Sequence, residues 1–191
     1  MKRIFAFILC LCLVFCLVGC GKDKKKDDNK PAHSVDVEYY AKLGQIPEHK
    51  YALGADVKEM QDAFDAEDEA NKENSDDDHL HSVYSLMEMD DYSFLSYSNA
   101  NYYFNDNSDD SVYCIVSLDT AYGFEIGDMN VEIKEALSKF STEEKQGDKE
   151  TLFFLPGAEG CTYLEYTFGE NTVIFAFQDN SLCATMLKKS N

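Results

Sequence analysis

Apolar and polar positions alternate in four short runs between residues 82 and 118: SVYSLMEM (82–89), YSFLSYS (92–98), ANYYF (100–104) and SVYCIVSL (111–118). A second set reads TLFFL (151–155), CTYLEYTF (161–168), TVIFAF (172–177) and LCATML (182–187). A period of two, rich in aromatic and β-branched residues, predicts half-buried antiparallel strands. Ahead of each set the period lengthens to that of a helix. Val57, Met60 and Phe64 make one apolar stripe, and Met129, Ile133, Ala136, Leu137 and Phe140 make another. Asp56, with Glu59 three residues on, predicts a capped start for the first helix. In the second, Met129 occupies the capping slot, which leaves the role to Asp128 or Asn130.

The two sets echo each other. FNDNS (104–108) returns as FQDNS (177–181), and at the same offset YALGADVKEMQDAF (51–64) falls on FEIGDMNVEIKEAL (124–137). The aligned positions agree in kind: Tyr51 with Phe124, Gly54 with Gly127, Glu59 with Glu132, Met60 with Ile133, Ala63 with Ala136. Such agreement points to an internal duplication. The echoed FQDNSL reads as a strand end, an Asp-Asn turn and a new strand. The expected fold is therefore α+β: two tandem repeats, 37–121 and 122–191, each a helix packed on an antiparallel meander of three to four strands. A unit of that size is marginal alone, so the two sheets should pair edge to edge or share a core.

This pattern resembles tandem helix-plus-meander proteins such as the β-lactamase inhibitory protein. It is also similar to SmpA/OmlA-type lipoprotein domains, whose helices start with a Gly-to-Glu spacing like Gly54 to Glu59 and Gly127 to Glu132. The resemblance spans roughly 45–190 and implies protein binding without chemistry. The paired cysteines of those families are missing here, and none of their contact residues can be placed.

The N-terminus changes the picture of where the chain works. Lys2 and Arg3 precede an uncharged apolar run from Ile4 to Val18, shorter than the roughly 20 residues that cross a bilayer. The run ends in LVGC (17–20), which resembles the lipobox of bacterial lipoproteins. The resemblance implies a signal peptide over 1–19, a diacylglyceryl thioether on Cys20, and an acylated protein held on the extracytoplasmic face of a cell membrane. Two acyl chains suffice for stable anchoring without a span. Residues 20–36, polar and of mixed charge, read as a solvated tether. The lysine-rich tether and simple lipobox hint at a Gram-positive surface without deciding the envelope type.

Composition narrows the partners. The formal net charge of −19 argues against nucleic acid and leaves a protein or cation as partner. Past the leader, Cys114, Cys161 and Cys183 allow at most one disulfide, and the sequence leaves open whether any two pair. His79 and His81, beside Asp76, Asp77 and Asp78, are weak metal candidates, since zinc requires more ligands in ordered spacing. DNSDD (106–110) lacks the glycine and the final glutamate of a calcium loop. No catalytic motif occurs, all four histidines precede residue 82, and no cofactor is implied. Twelve Tyr and thirteen Phe without a Trp exceed what a core of this size needs, so some Tyr should reach an open sheet face. Tyr97, Tyr102 and Tyr166 are the candidates for a binding face. The expected role is a non-enzymatic, lipid-anchored binding or scaffold module. The alternative is a ligand- or metal-capturing lipoprotein, or an enzyme, with its site between the two repeats.

Overall fold

The computed structural model describes residues 35–73, 82–89, 92–105 and 109–190. The signal segment, Cys20, most of the tether, His79, His81 and the 106–108 turn lie outside those residues. The fold is α+β. Among the described residues the strands are β1 (Tyr84–Glu88), β2 (Ser93–Tyr97), β3 (Ala100–Asn105), β4 (Asp109–Ser117), β5 (Glu144–Gln146), β6 (Thr162–Phe168), β7 (Asn171–Gln178) and β8 (Ser181–Lys189). They form one antiparallel eight-stranded sheet in the order β1-β2-β3-β4-β8-β7-β6-β5. Each meander runs inward from its own outer edge, and the two meet where Ile115 and Val116 of β4 pair with Leu187 and Met186 of β8.

Local chemistry fixes these reversals. Ser98 and Asn99 (φ 49° and 62°) and Asp179 and Asn180 (φ 52° and 65°) adopt left-handed conformations in tight hairpins. Asn and Asp tolerate that region, and two such residues match the twist of the flanking strands. The α-helices are α1 (Val37–Lys42), α2 (Val57–Glu73) and α3 (Asn130–Ala136). Asp36 caps α1 by accepting the Tyr39 N–H at 3.2 Å, and Asp56 caps α2 by accepting that of Glu59 at 2.8 Å. In α3, Met129 takes the N-cap position and the Glu132 carboxylate accepts its N–H at 3.1 Å.

The helices lie over one face of the sheet. Val37, Ala41, Met60, Phe64, Ile133 and Leu137 are buried there against Leu95, Tyr102, Ile115, Tyr166, Phe175 and Leu187. The opposite face is closed by segment 147–161, whose Leu152, Ala158 and Cys161 are buried with Tyr103, Cys114, Ile174 and Met186. Phe153 of this strap reaches the first meander, 5.1 Å from the Tyr103 ring and 5.3 Å from that of Tyr92.

Three local expectations differ from the structure. TLFFL is not a strand. Asp148 accepts the N–H groups of Glu150 and Thr151 at 3.0 and 2.7 Å, coiling the chain into turns that lay Leu152 on the sheet. The outer strand β5 instead comes from the polar stretch before it, because an exposed edge needs no apolar face. Helix α1, too short to show a period, begins where the tether was expected to end.

Candidate docking edge

Tyr97, Tyr102 and Tyr166 do not form an open face. Tyr102 is 1% and Tyr166 2% exposed, both beneath the helices. Burial pushes each hydroxyl up to about 12. Tyr97 is half-buried, its ring stacked on Phe64 with centroids 4.3 Å apart, and its hydroxyl donates to Glu67 at 3.0 Å. Alternation misassigned them because both faces of this sheet are covered, so parity separates one core from another rather than core from water.

Other chemistry is dispersed. Among the described residues, no three His, Cys, Asp or Glu side chains group as a metal site. The three thiols are free: Cys114 is buried, while Cys161 and Cys183 neighbour each other on the strap side. Burial pushes the Cys183 thiol up to about 11, which keeps it protonated near neutrality. His49, which the sequence did not single out, lines a small hollow with Tyr40, Ile46 and Pro47. Its Nε2 is buried without a partner among the described residues, and burial lowers its pKa against the opposing pull of Glu48 and Asp119.

What remains is the contrast between the two outer edges. At one end β5 is three residues, Glu144, Lys145 and Gln146, all exposed. Lys145 forms an ion pair with Glu165 at 3.0 Å, and Glu144 one with Lys134 at 2.6 Å. A short, charged strand is how proteins blunt an edge. At the other end β1 is longer and apolar: Leu86 is 41% exposed, Met87 47%, and Met89 just beyond it 52%.

Strand β1 is held firmly for so exposed an element. Asp68 of α2 accepts from the Ser82 hydroxyl and, at 2.6 Å, from the Val83 N–H. Those two hydrogen bonds hold its carboxyl below the usual range. Asp65 accepts from the Tyr84 hydroxyl at 2.9 Å. Across the strand, Leu86 pairs with Leu95 and Met87 with Phe94. The Met89 N–H donates to Tyr92 O at 2.9 Å, so 89 and 87 turn their backbone groups inward. By alternation Leu86 and Glu88 turn theirs away from β2. Between the outer strands and α2 lies a hollow of about 350 Å³ lined by Val57, Lys58, Gln61, Leu86, Glu88, Ser93 and Phe104.

No protein-family model matches the chain, and no curated protein matches it. Among solved structures, a DUF4309 family protein (YjgB) from Bacillus subtilis is similar with a TM-score of 0.44 and 11% identity, over 80% of this chain and 93% of that one. A likeness that distant carries no functional inference. Sequence reading did not single out the β1 edge: SLMEM shows an apolar pair at its centre but not that the strand lies at the rim of the sheet.

Proposed function

We propose that this protein is a lipid-anchored, extracytoplasmic binding module with no catalytic role, which presents β1 to another protein. The observation that carries the reading is an apolar, well-anchored edge strand at one end of a sheet whose other end is blunted by charge. LVGC with its polar tether supports anchoring through acylated Cys20, and the acidic charge supports a protein rather than a nucleic acid as partner. We also propose that 37–121 and 122–191 descend from one duplicated helix-and-meander unit. The mirrored strand order, with β1 to β4 inside the first span and β5 to β8 inside the second, supports that origin.

Site-specific photo-crosslinking in cells that carry the acylated chain tests the proposal. A crosslinker at Met87 should trap a discrete protein, and one at Gln146 on β5 should not. Cys20→Ser should release the chain from the membrane fraction. Equal trapping at both edges, or a purified native chain without an acyl group, would overturn it.

A further inference from the structure

We infer that the β1 edge takes up an extended segment, added as a ninth strand, that carries an aliphatic residue with a basic residue two positions to either side and an apolar residue at the position facing Met87. This rests on the binding-module reading above and names the chemistry of the partner.

The backbone sets the mode. Leu86 and Glu88 direct N–H and C=O groups to the open side of the sheet, the arrangement that an incoming strand completes. Exposed main chain of this kind gives affinity, and the side chains at alternate positions give selectivity. On the helix side β1 presents Tyr84, Leu86 and Glu88; on the strap side it presents Ser85, paired to Ser96, and Met87, paired to Phe94, followed by Met89.

Each position of the guest follows from what it would face. Opposite Leu86, on the helix side, the guest side chain lies against Leu86 at the rim of the hollow that Val57 and Phe104 also line, and an aliphatic residue there covers Leu86. One step to either side, still toward the helices, it meets Glu88 at one end. At the other it meets Asp65, which accepts from the Tyr84 hydroxyl. Carboxylates at both ends select two basic residues. Between these positions the guest turns to the strap side, where Met87 selects an apolar residue and Ser85 leaves the other position open.

The neighbouring helix α2 reinforces the charge preference. Its sequence VKEMQDAFDAEDEANKE carries Glu59, Asp62, Asp65, Glu67, Asp68, Glu69 and Glu73 against only Lys58 and Lys72. Lys58 is itself engaged by Asp62 at 3.2 Å. A second copy of this chain is the poorer guest, because antiparallel pairing of two β1 strands sets two acidic helices side by side.

The probe is the capped peptide Thr-Lys-Val-Leu-Val-Lys-Thr, titrated into the folded chain with amide hydrogen exchange as the readout. Saturable binding should protect the Leu86 and Glu88 amides and leave β5 unchanged. Exchanging both lysines of the peptide for glutamate should weaken binding by about tenfold or more. Leu86→Pro removes one outward N–H at an edge that tolerates proline and should weaken binding by about tenfold. Leu86→Lys, which keeps the amide, should weaken it as well; both variants are first checked for an unchanged unfolding midpoint. Binding insensitive to these variants, or protection spread over the acidic surface, overturns the inference. So does sedimentation showing that the chain alone dimerises and that Leu86→Pro abolishes the dimer. If the peptide fails to bind while Met87 still crosslinks a discrete protein, the partner chemistry is wrong and the binding-module reading stands.

Discussion

Replacing Phe64 tests how the structure holds its outer β1–β2 hairpin in place. This buried residue of α2 sits with its ring centroid 4.3 Å from Tyr97, 5.2 Å from Tyr84 and 5.5 Å from Tyr51. Tyr84 begins β1 and Tyr97 ends β2, so one side chain supports both members of the outer hairpin. Truncation to alanine loses the transfer energy of the ring and leaves a cavity, a cost of about 3–5 kcal/mol. Phe64→Leu keeps most of the apolar volume and loses the ring-to-ring geometry, worth about 0.5–1.5 kcal/mol per good pair. Two of the three contacts have favoured geometry, stacked with Tyr97 and edge-to-face with Tyr51, so the leucine variant should lose about 1–3 kcal/mol. For a chain of this length each kcal/mol lowers Tm by about 2–4 °C, which places the alanine variant about 10 °C below the parent. Urea unfolding followed by tyrosine fluorescence gives the free energies cleanly, since the sequence has no tryptophan. Hydrogen exchange should show β1 and β2 loosening before β7 and β8. An alanine variant within about 1 kcal/mol of the parent refutes the reasoning. So does a leucine variant as unstable as the alanine one.

Two further outcomes follow from single positions. Gly147→Ala would set a Cβ 2.2 Å from Ala158 O and 2.9 Å from Cys161 O, both backbone atoms, so the strap must shift. A loss of about 2–3 kcal/mol in urea unfolding is expected, with the Tyr103 environment altered in near-ultraviolet circular dichroism, and a neutral substitution contradicts the close packing. His49 is held neutral by burial, with a folded pKa below the ordinary 6.5, despite Glu48 and Asp119. On acidification below that value the unfolded chain takes up the proton first, so stability falls as pH drops from about 6.5 toward the folded pKa. The stability difference between His49→Gln and the parent should therefore vary across that window. Parallel curves for the two proteins rule the linkage out.

The strands were legible wherever one face of the chain differed from the other, and the outer hairpin and the turn at Asp179 and Asn180 follow directly from alternation and turn chemistry. Strand β7 shows where that reading runs out: Asn171 to Phe177 are buried without a break, so period two carries no information about direction. The same double burial put Tyr102 and Tyr166 on the wrong side of the boundary between core and surface. TLFFL misled for a related reason, because apolar content marks burial and not conformation, and the Asp148 turn decides the shape. Strand β5 was invisible because the chemistry that keeps an edge solitary removes the apolar signal of a strand. The exposed edge at β1 went unread for the opposite reason. Leu86 and Met87 look like core in a sequence, and only the strand order reveals that, among the described residues, no strand lies beyond them.

The strand order also governs how the chain can be assembled. β8, made after every other strand, is inserted between β4 and β7 rather than added at a rim. Until it arrives, both half-sheets display raw inner margins, so a polypeptide emerging in sequence from a ribosome or an export channel has no finished intermediate to rest in. Closure of the seam therefore waits on β8, and an interruption within Ser181–Lys189 undoes it rather than trimming a border.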